Sequence, residues 1–95
     1  MTPRIDQLRE AMETAHNCKA LHDQSVPVRE MSGTQVVWEG LVERFALLGH
    51  PTANWAYAWS HQDGATTRYV TVLEINPVHS PQTAVRAAIA SKAQK

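Results

Sequence analysis

Glu43 interrupts a strand face otherwise built from Leu41, Phe45 and Leu47. A carboxylate set among apolar side chains is the kind of group whose pKa a protein tunes for proton transfer. Glu39 and His61 supply partners for such acid–base work. The competing reading is that Glu43 lies near the sheet end or pairs with Arg86 or another basic residue, and the sequence favours it. Five histidines and one cysteine next raise metal binding and nucleophilic catalysis. His16, Cys18 and His22 lie close together, but helix positions two and six apart do not share a face. A structural zinc site takes ligand pairs such as Cys-x-x-Cys, and Cys18 has no second cysteine. Cys18 beside His50, His61 or His79 would make a thiol nucleophile, yet nothing local lowers the thiol pKa. No metal site or cofactor is assigned, and Glu43 and His61 are kept as the only catalytic candidates.

A more regular pattern lies in Asn54-Trp55-Ala56-Tyr57-Ala58-Trp59-Ser60. Alternate residues of a strand project to opposite sides, so Trp55, Tyr57 and Trp59 share one face. Ala56, Ala58 and Ser60 share the other. Asp63-Gly64 is a two-residue hairpin signal that sets Trp59 opposite Arg68, Tyr57 opposite Val70 and Trp55 opposite Val72. A turn from Gly49 to Thr52 places Ala46, Arg44 and Val42 beside Trp55, Tyr57 and Trp59. One face thus holds Trp38, Val42, the three rings, Val70 and Val72, with Arg44 and Arg68 positioned to stack on aromatics. The opposite face holds Leu41, Phe45, Leu47, Ala56, Ala58, Leu73 and Ile75. Small alanines at its centre suit close approach by helices, so both helices are expected there. The rings would then be open; the competing reading reverses the faces, making the rings core and leaving the Leu41, Phe45, Leu47 and Leu73 face to be covered. Each ring buries on the order of 150–250 Å² at about 25 cal/mol per Å², and a patch of that size marks an interface. Trp38, Arg44, Trp55, Tyr57, Trp59 and Arg68 are the expected interface or ligand-contacting residues.

These residues need elements to hold them. Thr2-Pro3 reads as a capped helix start, and Ile5, Leu8, Ala11, Met12, Ala15 and Cys18 draw an apolar stripe toward an end near Leu21. Val26 to Met31 reads as a short strand, with Pro27 at a sheet edge because it lacks a ladder donor. Ser32-Gly33 turns the chain into a long strand from Gln35 to Leu48, with a bulge or bend expected at Gly40. Ala53 to His61 and Thr67 to Ile75 complete the sheet. Ser80-Pro81 repeats the cap-then-proline start, and Ala84, Val85, Ala88 and Ile89 give the last helix its stripe. The fold class is α+β, a four-stranded antiparallel meander with N- and C-terminal helices on one face (α-β-β-β-β-α), as a single domain over 1–95.

Lys plus Arg equals Asp plus Glu at nine each, a formal charge of zero that argues against a nucleic-acid binder and weakens repulsion between identical copies. A double-stranded-RNA-binding domain would carry lysines at the start of its second helix, where this chain has Ser80-Pro81-Gln82-Thr83. A lone cysteine, no leader-like apolar run and no membrane-length segment fit a cytoplasmic protein.

Gly49-His50-Pro51, Ala56-Tyr57-Ala58-Trp59 and Ser80-Pro81 with Ala84-Val85-Arg86-Ala87-Ala88-Ile89 resemble small uncharacterised bacterial proteins, some carried on mobile gene cassettes. The resemblance implies no activity and no site residues. The reading from the residues is a binding or interaction protein that forms a homodimer through the aromatic face, with an apolar ligand or partner protein held there. The alternatives are a small enzyme using Glu43 or a histidine, and a single-stranded nucleic-acid binder using the rings.

Overall fold

The computed structural model describes residues 3–93. The elements run α1 (Pro3–His16), β1 (Lys19–Ser32), β2 (Gln35–Leu48), β3 (Trp55–Asp63), β4 (Thr66–Leu73) and α2 (Pro81–Ala93). The strands form one antiparallel sheet in the order β1-β2-β3-β4, the α+β meander expected from the sequence. Thr2, the expected cap, lies outside the described residues, as do residues 94–95.

The first helix stops earlier than its apolar stripe suggests. Asn17 adopts φ 51, a left-handed geometry that asparagine tolerates better than most residues, and the helix ends there. The Ala20 amide then donates to Glu13 Oε2 at 2.9 Å, tying the new strand back to the helix it left. Residues 18–21 therefore belong to the turn and to β1, which is 14 residues long and far exceeds the expected Val26–Met31 segment. Pro27 does lie on an edge strand, since β1 pairs only with β2.

Register follows the turns. Ala46 faces Trp55 and Arg44 faces Tyr57, as the Gly49-to-Thr52 turn implies. The β3–β4 hairpin differs by one turn residue: Asp63 pairs with Thr66, so Gly64 and Ala65 are the turn. Gly64 takes φ 65 whereas Asp63 does not leave the ordinary region, which suits a turn with glycine at its first central position. Trp59 thus faces Val70, Tyr57 faces Val72 and His61 faces Arg68. A displacement by two keeps every side chain on its expected face. Gly40 is not a bulge either. The register shifts fall between His22 and Gln24 and between Glu30 and Met31. Gly40 instead lies under the Trp38 ring, where an added Cβ would come within 3.1 Å of that ring.

The helices lie on opposite faces, which corrects the expectation that both share the alanine face. Leu8 and Met12 of α1 pack with Ala20, Phe45, Leu47, Ala56 and Ala58. Ala84 and Val85 of α2 pack with Val28, Val42, Tyr57 and Trp59. A helix needs small side chains at only one side of the contact to approach a sheet closely. Ala84, Ala87 and Ala88 supply them from the helix, so large rings on the sheet are no obstacle. Ser80 starts this helix with a reciprocal cap: the Thr83 amide donates to Ser80 Oγ at 3.2 Å and the Ser80 amide to Thr83 Oγ1 at 3.0 Å.

Length decides what stays bare. β1 and β2, of 14 residues each, are long enough to run most of the molecule's 40 Å length, whereas helices of 14 and 13 residues extend roughly 20 Å. Neither helix covers the whole β1–β2 hairpin. One covers its inner end from one side, and the other covers its outer end from the opposite side.

Candidate functional site

Glu43 is fully buried, on the face that α1 covers. Its Oε1 accepts from His22 Nε2 at 2.7 Å and from the Ser25 hydroxyl, and its Oε2 accepts from Arg4 of α1. The ladder explains the assembly: Ser25 lies directly opposite Glu43, and His22 opposite Phe45 two residues along. Burial pushes the Glu43 carboxyl up, but the hydrogen bonds from Ser25, Arg4 and His22 and the Arg4 charge outweigh it and hold the group below the usual carboxylate range. A charged, fully bonded carboxylate with a lowered pKa makes a poor proton acceptor. The cluster fastens α1 to β1 and β2. It matches the ion-pair reading of Glu43, with Arg4 rather than Arg86 as the partner; Arg86 bonds Glu30 at 2.8 Å.

His61 does not join Glu43. It shares the face of Tyr57 and Trp59, opposite to Glu43, and lies toward the β3–β4 turn. The structure thus separates the two catalytic candidates. His16 is edge-on to His50 at 6.2 Å between ring centroids and bonds Thr71 Oγ1 at 2.9 Å, away from His22 on its own carboxylate. Cys18 packs against the α1-side core, and burial and then the Glu13 charge push its thiol pKa up. Among the described residues no group of three or more His, Cys, Asp or Glu side chains is placed to hold a metal ion.

The six expected interface residues separate into three groups. Tyr57 and Trp59 are closed off by α2, at 1% and 3% exposure, so the open aromatic face is corrected to a second core. Trp38 packs edge-on to Trp59, with centroids 5.6 Å apart, in the same core. Arg68 stands on the exposed hairpin end and bonds Asp63 at 2.7 Å. Arg44 and Trp55 remain half-buried beyond the reach of α2, with the guanidinium carbon 3.6 Å from the ring centroid. Carboxylates border this end too. Asp23 bonds Arg44 at 3.1 Å, and Glu74 accepts from the Tyr57 hydroxyl. Asp23 sits in a bulge between the expected helix end near Leu21 and the expected strand start at Val26, so the sequence assigns it no face, whereas Glu74 follows the period of Val70 and Val72 and is legible here.

The surface left by the helices carries the apolar excess. Among the described residues eight large hydrophobic side chains are exposed, and Leu21, Met31, Val36, Val37, Leu41 and Leu48 all belong to β1 and β2. Only Tyr69 and Ile75 lie elsewhere. Leu21, Ala46 and Trp55 lie abreast across three strands, beside Leu48, on the α2 face at the inner end. Pro27 and Leu41, then Arg29 and Glu39, then Met31 and Val36 face each other along the outer end, on the α1 side. Of these apolar residues, only Leu21 is concealed in the sequence by the helical stripe through Cys18; Met31, Val36, Val37, Leu41 and Leu48 lie in the strands expected from the sequence.

The chain matches no protein-family model, no curated protein and no solved structure.

Proposed function

We propose that this protein is a small interaction module that self-associates through the apolar surface its helices leave bare on the β1–β2 hairpin. One observation carries the reading: among the described residues, six of the eight exposed large apolar side chains belong to this single hairpin. Scattered apolar residues are normal on any surface, but here they gather into two patches on opposite faces of one hairpin, at its inner and outer ends, and contiguous patches mark interfaces. Zero formal charge removes the net repulsion that would keep identical copies apart. The fully engaged Glu43 carboxylate and the separation of Glu43 from His61 weigh for binding over catalysis.

The test is a series of amide correlation spectra over a wide protein concentration range. Peaks from β1 and β2 residues shift with concentration, while those of the β3–β4 turn and of α2 stay still. Spectra that do not change with concentration, or changes that avoid the hairpin, contradict the proposal.

A further inference from the structure

The α1-side surface of the outer hairpin lies outside both helix-packed cores. Four apolar residues, Pro27, Leu41, Met31 and Val36, flank one ion pair, in which Arg29 Nε donates to Glu39 Oε2 at 2.9 Å. Both charged side chains are more than half exposed, at 62% and 56%. A pair of opposite charges side by side at the centre of an apolar patch is its own electrostatic complement. A two-fold rotation brings Arg29 of one protomer against Glu39 of the other, and the same contact recurs by symmetry. A partner with a surface of one sign would leave either the arginine or the glutamate facing a like charge.

Resting on the self-association reading above, we infer that this outer surface is a two-fold interface in which Arg29 and Glu39 pair across protomers. Its size sets its strength. The uncovered outer part is two strands wide, roughly 10 Å across and roughly 20 Å long, a footprint on the order of 200 Å² per copy, well below a standard interface. The dimer is accordingly weak and concentration-dependent. Edge-to-edge pairing of β1 strands does not compete, since Pro27 and the bulge at Asp23 interrupt that edge.

Charge exchange between copies tests the pairing. Arg29→Glu gives a patch with two glutamates, and Glu39→Arg gives a patch with two arginines. Both substitutions are on exposed side chains and leave the core intact. Each variant alone associates at least about tenfold more weakly than wild type, because like charges meet at the axis. An equimolar mixture of the two forms a mixed dimer, with glutamates on one copy facing arginines on the other. Wild-type dimers that are indifferent to both substitutions, but are lost on Leu21→Glu, overturn this interface and leave self-association standing. Wild type that stays monomeric overturns the reading beneath it.

Discussion

His22 Nε2 donates to Glu43 Oε1 across 2.7 Å, joining the edge strand to its neighbour at the point where Arg4 of α1 meets the other carboxylate oxygen. Glu43 is completely buried, whereas the Arg4 side chain is 39% exposed. The carboxylate is therefore the member that cannot fall back on water. A buried charge of this kind is tolerated only when its oxygens are hydrogen-bonded, and here α1 and β1 supply three donors to them.

Glu43→Gln removes the charge while keeping the shape. Arg4 can turn toward solvent, so the loss falls below that of a wholly buried pair, at about 1.5–3 kcal/mol. The folded-state pKa of Glu43 is lowered, so its stabilising share is complete above the unfolded value and is lost as pH falls through the folded one. Urea midpoints of wild type decline below about pH 4, and those of Glu43→Gln decline less. Parallel pH profiles for the two proteins contradict the assignment.

The opposite limit belongs to Tyr57. Burial, then the hydrogen bond and charge of Glu74, push its hydroxyl from 10.0 up to about 12, against a smaller opposing effect of Arg44. The folded state holds this proton more tightly than the unfolded chain does. The stabilisation is therefore complete below the ordinary value and lost as pH rises toward the folded one. Phenolate absorbance should show a step near pH 12, and Tyr57→Phe should remove it. A variant that instead loses absorbance change near pH 10 would count against a buried Tyr57 bonded to Glu74.

Burial separates two tryptophans that the sequence treats alike. Trp59→Ala opens a cavity beneath α2 and costs about 3–5 kcal/mol. Trp55→Ala, at the uncovered end, gives up the Arg44 stacking and partial burial, about 1 kcal/mol. Equal losses in denaturant titrations would mean that α2 does not close the aromatic face.

Gly40 is kept small by Trp38. In Gly40→Ala the new methyl group meets the indole at 3.1 Å, and the ring must tilt against Trp59. The expected loss is about 0.5–1.5 kcal/mol, with a change in tryptophan emission. A stabilised variant with unchanged emission would show that the ring does not rest there.

Much of this architecture was legible in the residues. Alternation in Trp55 to Ser60 fixes the two faces of β3, and the Gly49-to-Thr52 turn sets Ala46 against Trp55. What escaped is the ending of α1, because Cys18 and Leu21 continue a helical spacing that Asn17 interrupts with one backbone geometry. That error shortened β1 and hid its inner half with Leu21; the outer hairpin of Val26 to Met31 and Gln35–Leu48 was legible, but its Leu41 side was expected to lie under the helices. The side chosen by α2 was also missed. Alanines on the sheet and alanines on the helix satisfy close approach equally, so pattern alone does not choose between the faces. The Glu43 cluster was half legible: a carboxylate on an apolar face announces a partner, but Arg4, His22 and Ser25 come from two elements whose register only the fold provides.

The central claim is self-association, and solution mass tests it most directly. Light scattering from about 10 μM to about 1 mM protein spans the affinity expected of an interface this small. The account predicts a weight-average mass that rises from near 10.6 kDa toward about twice that value as concentration increases. A mass that stays at 10.6 kDa across the whole range contradicts it.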